Sequence, residues 1–342
     1  MIDIAGSVAG PAAPPVPSAA WDPARLALAL DVGGTKMAAA LVADDGRILA
    51  AERTDTPPAG NAEELFQALA RAADAVLARL GVDPVRPATR PALGAARIGL
   101  ATAAPLDLAA GTVSPVNIPG WRGFPLRDRL TQRYEMDVAM VGDAVAVAVG
   151  EHWQGAARGH RNVLGMVVST GVGGGVLIDG VAVAGSTGNA GQIGHISVDP
   201  NGPDCVCGGR GCLEAIASGR SIARWARANG RPEARDALAV ADAARAGDPV
   251  ALAAFRRAGE AVGLAVASAV TLLDLDVVVI GGGVARAGAL LFDPIAAGYA
   301  RYAALGYARA PRVVPAVLGT EAGLVGAAAT VLAVAGEQNG LS

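Results

Sequence analysis

The feature that most constrains this fold is a strand, glycine turn, strand, hairpin and helix pattern that occurs twice along the chain. In the first copy, Leu26 to Leu30 is an apolar run ending at Asp31, Gly33 and Gly34. Met37 to Val42 is a second run, Asp44-Asp45-Gly46 a turn, and Ile48 to Arg53 a third run. Short apolar runs separated by such turns predict an antiparallel meander. Helical periodicity follows from Asn61 to Leu80, with Gly81 as its cap. Strands are then expected at Arg97 to Ala101 and Val138 to Val141, and a helix at Asp143 to Trp153. The second copy opens with a strand at Val163 to Ser169, a glycine-rich turn at Thr170 to Gly175 and a strand at Val176 to Ile178. A hairpin turn at Asp179-Gly180 and a strand at Val181 to Ala184 follow. Helices over Pro249 to Leu273 and Glu321 to Ala335, and a strand at Asp276 to Ile280, complete it. The expected architecture is two similar α/β domains with a cleft between them.

Composition narrows the partners. A chain of 342 residues can bury two cores. The net charge of -3 leaves no electrostatic footprint for nucleic acid or an anionic membrane, so a small-molecule partner is expected. Mean hydropathy is high at +0.40, but alanine, glycine and valine carry it and aromatics are only 4%. The most apolar window, Ala261 to Ile280, contains Asp274 and Asp276, and Ala322 to Gly336 is too short to span a bilayer. No membrane segment is therefore expected. Residues 1–24 are rich in alanine and proline without a cationic start or sustained apolar run, which predicts a disordered tail and a cytoplasmic protein.

The two glycine turns have phosphate chemistry written into them. Asp31-Val32-Gly33-Gly34-Thr35-Lys36 and Ser169-Thr170-Gly171-Val172-Gly173-Gly174-Gly175 let backbone N–H groups approach phosphate oxygens. The Thr35 and Thr170 hydroxyls add donors, and Asp31 can hold magnesium through water. One such turn is ordinarily just a tight turn. Two with equivalent threonines point to a nucleotide clamped from both sides. Neither fits a GxxxxGK[ST] loop or GxGxxG after a strand. Lys36 is the only lysine in the chain.

All three cysteines, Cys205, Cys207 and Cys212, fall within eight positions, with His195 ten residues upstream of the first. Three thiols and an imidazole make a tetrahedral soft-ligand set that suits structural zinc and leaves no position open for water. Metal thiolates in a reducing compartment fit this odd, clustered count better than disulfides.

Taken together, these residues resemble the ROK family of sugar kinases and repressors, bacterial relatives of hexokinase and actin in fold. The resemblance runs from Leu28 to about Ala335. It rests on Asp31 to Lys36, Asn117-Ile118-Pro119-Gly120-Trp121, Gly142-Asp143-Ala144, Thr170 to Gly175, and the block from Gly191 to Gly219 with Cys212-Leu213-Glu214. It implies two ribonuclease-H-like domains closing over a hexose and ATP with magnesium. The expected division is 25–141 plus 321–342 for a small domain and 142–320 for a large one, with the zinc loop at 195–212. It further implies Asp143 as general base for the sugar 6-hydroxyl; taken without the surrounding motifs, Asp143 reads rather as a helix N-cap. Gln192, His195 and Glu214 would meet sugar hydroxyls, Asn117 would stand in the sugar-side wall, and the Gly281-Gly282-Gly283-Val284 turn would pass the adenosine. That last turn also reads as a plain strand-to-helix turn. His195 has two readings: a zinc ligand whose second nitrogen faces the sugar, or one whose second nitrogen is buried on backbone. His152 and His160 match nothing and are expected at the surface. A homodimer or homotetramer is implied.

Three departures fall near the sugar. Gln192 stands where the family carries glutamate, Gly142 where it carries asparagine, and Ala103-Ala104 where it carries a Pro-Gly pair. Glucose is the default acceptor, and an amino sugar such as kanosamine or N-acetylmannosamine is the alternative. A DNA-binding regulator would place a helix-turn-helix domain ahead of the first turn, and only 30 residues precede Asp31, so that role is not expected. A catalytically silent sugar-binding protein is the remaining alternative.

Overall fold

The computed structural model describes residues 25–58, 60–79 and 97–332. The proposed tail at 1–24, the Gly81 cap and the end of the last helix lie outside them. The first sheet is built from β1 (Leu26–Val32), β2 (Lys36–Ala43), β3 (Ile48–Asp55), β4 (Arg97–Thr102) and β7 (Val138–Gly142). Between its last two strands lies the short hairpin β5 (Leu106–Asp107) and β6 (Thr112–Val113). The second sheet comprises β8 (Val163–Val168), β9 (Val172–Ile178), β10 (Val181–Ala182), β11 (Val277–Gly281) and β12 (Arg312–Pro315). The helices are α1 (Ala62–Ala78), α2 (Leu126–Tyr134), α3 (Asp143–Gln154), α4 (Leu213–Ala217), α5 (Gly219–Ala228), α6 (Ala237–Arg245), α7 (Pro249–Leu273), α8 (Ala289–Tyr302) and α9 (Ala322–Leu332).

The repeated pattern becomes repeated topology. The strand orders are β3-β2-β1-β4-β7 and β10-β9-β8-β11-β12, and in each the first three strands pair antiparallel while the last two join parallel. Each sheet thus opens with a hairpin whose tip is one of the glycine turns, and both tips point into the same cleft. Local chemistry supports the elements. Asn61 caps α1 by accepting from Glu63 and Glu64 N–H at 3.0 Å while Glu64 accepts from Asn61 N–H, a capping box contributing about 1 kcal/mol. The inner face of α1 buries Leu65, Phe66, Leu69, Val76 and Leu77 against the first sheet.

The second turn is shorter than its sequence suggests. Thr170 to Gly175 reads as one turn, but β9 already begins at Val172, and Gly173, Gly174 and Gly175 are strand residues. They are glycine for packing. A Cβ on Gly175 would lie 2.5 Å from Val145 Cα, and one on Gly173 would lie 2.9 Å from Ala144 Cβ, both on α3. The helix therefore lies directly on the strand. At the crossing of α3 and α9, Gly150 and Gly326 face the opposing backbone for the same reason.

α3 leaves the first sheet and packs on both β8 and β9, with α9 crossing over it. Its last turn carries Glu151, which is fully buried. That carboxylate accepts from Ala156 N–H at 2.8 Å, Val317 N–H at 3.0 Å and Leu318 N–H at 2.8 Å. Burying a carboxyl without partners is costly, and here the donors it accepts from tie α3 to the segment leading into α9. His152 and His160 are half-buried and bonded to each other, His152 Nε2 to His160 O at 2.9 Å, instead of lying free at the surface. Among the described residues, no helix is long and apolar enough to cross a membrane.

Candidate active-site cleft and metal centre

A cleft of about 630 Å³ opens between the two sheets. The first turn enters it with Asp31, Gly33, Gly34, Thr35 and Lys36, and the second with Thr170, Gly171 and Gly173. Asn117, Gln192, His195 and Glu214 line the same space, with Asp143 beside them. Gly281 and Gly282 do not line it. They pack behind the second turn, where a Cβ on Gly282 would strike the Val168 backbone and one on Gly283 would lie 3.4 Å from Ser169 Oγ.

The first turn is closed by its own strand ends: Gly33 N–H donates to Lys36 O at 2.9 Å. The start of the segment after β3 braces it, Thr56 N–H to Thr35 O at 3.0 Å and Thr56 Oγ1 to Gly33 O at 2.7 Å. Asn117 lies directly over it, since a Cβ on Gly34 would collide with the Asn117 carboxamide. The Asn117 loop is fastened by two side chains. Trp121 is buried, stacks on Phe124 with centroids 4.9 Å apart and donates Nε1–H to Ala62 O at 3.1 Å. Arg122 Nη1 donates to the carbonyls of Pro115, Ile118 and Trp121 at 2.7, 3.0 and 2.6 Å.

Asp31 and Asp143 form an acid pair at the base of the cleft. Burial, then the nearby Asp143 charge, pushes the Asp31 carboxyl up to about 7; Arg53 works weakly against this. Burial pushes Asp143 up to about 6, opposed by the Ala144 N–H that donates to its Oδ1 at 2.7 Å. Asp143 is the first residue of α3, with Gly142 as the capping residue, so it does not serve as N-cap. Two carboxyls, both raised by desolvation, form an oxygen-donor set suited to a hard cation.

The second turn is held differently. Ser169 N–H donates to Gly171 O at 2.8 Å, and Gly219 N–H at the start of α5 donates to Ser169 O at 2.7 Å. Val172 N–H donates to Glu214 Oε2 at 2.8 Å, so the carboxylate beside this turn comes from α4. Directly before α4 lies the cysteine loop. His195 Nδ1 is 3.7 Å from Cys205 Sγ, and Cys207 Sγ is 3.6 Å from Cys212 Sγ. All four donor atoms lie within 4.8 Å of one another. Bonds of about 2.3 Å to a tetrahedral zinc imply sulfur–sulfur edges near ~3.8 Å, so the donors sit where zinc needs them. Burial pushes the Cys212 thiol up to about 12, so a thiolate there calls for a metal cation. Because Nδ1 faces the sulfurs and His195 lines the cleft, its other nitrogen is the one left for the cleft side. The loop is knitted to α4 by the Ser197–Cys212 bridge and by Leu213 N–H to Ile196 O at 3.0 Å.

Two participants escaped the sequence reading. Asn189 ties the loop before Gly191 to β5: its amide donates to Leu106 O at 2.8 Å and accepts from Leu106 N–H at 3.2 Å. Arg220, second residue of α5, lines the cleft. Asn189 sits just ahead of the Gly191 block, but nothing in its neighbours names Leu106, 83 residues away, as partner.

Comparison with known proteins agrees with this geometry. The ROK family profile matches residues 27–334. The glucokinase of Thermotoga maritima is 35% identical over 319 residues, 89% of this chain and 96% of that protein. The N-acetylmannosamine kinase of Citrobacter koseri is 36% identical over 261 residues, 76% of this chain and 84% of that one. The crystal structure of a ROK family glucokinase from Streptomyces griseus in complex with glucose and AMPPNP superposes with a TM-score of 0.73 at 36% identity, covering 89% of this chain and 98% of that one. With the paired sheets, the two turns on one cleft and a match over nearly its whole length, this chain belongs to the ROK family.

Proposed function

We propose that this ROK protein is an ATP-dependent hexose kinase that phosphorylates the 6-hydroxyl of glucose or a related hexose or amino sugar. The observation that carries the reading is the placement of Asp143 in one cleft with both glycine turns and with Gln192, His195 and Glu214. In the proposed step the sugar O6 attacks the γ-phosphorus, the bond from γ-phosphorus to the β,γ-bridging oxygen breaks, ADP leaves and Asp143 takes the hydroxyl proton. A carboxylate raised to about 6 suits that task, since it is charged at neutral pH yet a stronger base than a solvated aspartate. Most of the rate in phosphoryl transfer comes from alignment and charge neutralisation.

The first turn's N–H groups, Thr35 and Lys36, together with Thr170 and Gly171 of the second, would cradle the phosphates; Gly173 would contribute only strand backbone at the edge of that cradle. Gly281 and Gly282 would shape the adenosine end from behind. Magnesium would be held by Asp31 with Asp143 close by, and supplies neutralisation of phosphate charge. Zinc on His195, Cys205, Cys207 and Cys212 would brace the loop that aims the other His195 nitrogen at a sugar hydroxyl. The domain division at 141/142 and 320/321 is part of the same proposal. It is supported by separate cores: one on β1, β2, β4 and α1, the other on β8, β11, α7 and α8.

Relatives of similar identity include both a glucokinase and an N-acetylmannosamine kinase, which supports an acceptor range of hexoses and amino sugars. A coupled ADP-release assay over glucose, mannose, N-acetylmannosamine, glucosamine and kanosamine, on zinc-loaded protein, tests the reading. Turnover with one or more is expected. Sugar binding without turnover on any of them would replace it with the catalytically silent alternative.

A further inference from the structure

Among the residues lining the cleft, only Lys36 and Arg220 carry a fixed positive charge. Lys36 comes from the first turn. Arg220 comes from α5, on the other side of the cleft, and no part of the reaction proposed above uses it. Among the described residues, its guanidinium has no hydrogen-bond or ion-pair partner, and the side chain is exposed to the open cleft. The arginines next along α5 are engaged: Arg224 donates to Ala215 O at 3.0 Å, and Arg227 to Ala234 O at 2.6 Å. Arg220 is thus the one arginine of this helix left uncommitted.

Its backbone is placed by two contacts. Gly219 N–H donates to Ser169 O at 2.7 Å, which fixes the start of α5 to the second turn. A Cβ on Gly219 would lie 3.1 Å from Ser169 O and 3.3 Å from Val284 Cγ2. The first turn of α5 therefore sits between the turn at Ser169 to Gly171 and the turn at Gly281 to Val284. On the reading given above, these flank the phosphates and the adenosine respectively. The acids of the cleft are committed elsewhere: Glu214 to Val172 N–H, and Asp143 to Ala144 N–H at one oxygen, with Asp31 beside it.

Resting on the nucleotide reading, we propose that Arg220 is the phosphate-binding cation of the second half, gripping the β,γ end of the donor opposite Lys36. A guanidinium suits this position because its planar fork takes two phosphate oxygens at once. The pairing also links nucleotide to cleft closure. Each half brings one cation to the cleft, so a polyanion bound there draws on both halves at once.

Calorimetric titration of AMP, ADP and AMPPNP with magnesium into the parent, Arg220→Gln and Arg220→Lys proteins tests this. In Arg220→Gln, AMPPNP affinity is expected to fall about 10- to 100-fold, ADP less and AMP less than about twofold, the scale of one charged hydrogen-bonded contact. Arg220→Lys should recover part of the loss. In turnover, KM for ATP should rise while KM for the sugar stays unchanged. Equal AMPPNP affinity in parent and Arg220→Gln would overturn the assignment, as would an equal loss for AMP and AMPPNP. Failure of the parent itself to bind any of the three would overturn the nucleotide reading along with it, a result distinct from either.

Discussion

The two glycine turns occupy the same place in two sheets of the same topology, but they are fastened and charged in different ways. The first is a self-contained hairpin tip: strand ends, Thr56 and an overlying Asn117 hold it, and its acid, Asp31, is its own strand residue. The second holds itself with one bond, Ser169 to Gly171, and borrows the rest. α5 supplies a donor to Ser169, α4 supplies the carboxylate on Val172, and the cysteine loop stands behind α4. Two similar units have thus diverged in function. On the proposed reading, one places its acid beside the reacting atoms, and the other would couple phosphate contact to the sugar loop through α4 and the cysteine loop.

Asp143→Asn is the harshest test of the first half of that contrast. If the acid pair carries the chemistry, kcat falls about 10²- to 10⁴-fold, the usual contribution of a positioned base. Circular dichroism should show the fold retained. Because the folded carboxyl is raised from 3.8 to about 6, the reactive charged form is lost below that value, and log kcat/KM should fall with unit slope on the acid side of about pH 6. The stability sign runs the other way. A raised carboxyl favours the neutral form in the folded protein, so its stabilisation is full below about pH 4 and lost as pH rises through about 6. The asparagine variant should therefore melt higher than the parent at pH 8 and equally at pH 4. A variant that turns over at the parental rate would remove Asp143 from the reaction and leave the turns as mere packing devices.

Cys207→Ser asks whether the second turn depends on borrowed supports. Parent protein should hold about one zinc per chain and the variant much less. Loss of the brace should raise sugar KM about 10- to 100-fold, the usual scale for disturbing a metal ligand's surroundings. Nucleotide affinity should fall by only a few fold, through the Val172–Glu214 contact, because among the described residues no hydrogen bond joins the first turn to the loop. Normal sugar KM in a zinc-free variant would mean that packing alone shapes the loop, and the contrast between the turns would lose its basis.

Most of the framework was readable because it is local. Strand alternation, the Asp44-Asp45-Gly46 turn and the Asn61 capping box act over a few residues, and β1, β2, β3 and α1 appear where periodicity places them. The cysteine cluster was readable because ligand chemistry is rare and closely spaced. What stayed hidden depends on distant partners. The glycines of β9 look like a phosphate turn until α3 is laid on them. Glu151 reads as one more polar helix residue, yet it is buried and holds Val317 and Leu318, more than 160 residues away. Arg122 and Arg220 belong to an arginine-rich background in which no single arginine stands out by type. The turn at Gly281 to Val284 shows its neighbours only in the fold: Gly281 and Gly282 contact the segment after β12 and β8 and do not line the cleft.

The mildest test concerns Gly142, where the family pattern and this chain part. Gly142 caps α3 with φ -63° and ψ 147°, an extended conformation that any residue adopts, and it offers no side-chain cap. A Cβ there would meet nothing closer than Val145 Cγ2 at 3.6 Å, an ordinary contact. Asparagine therefore fits without strain, and its side chain would enter the cleft beside Asp143. Gly142→Asn should stabilise the protein by a few tenths of a kcal/mol, the gap between glycine and asparagine at an N-cap. If the missing amide is what separates this pocket from a glucose-specific one, the same variant should lower KM for glucose severalfold and leave KM for ATP unchanged. A gain in stability with no change for any hexose would confine Gly142 to the helix end. Acceptor choice would then rest with Gln192, in the half of the molecule that borrows its supports.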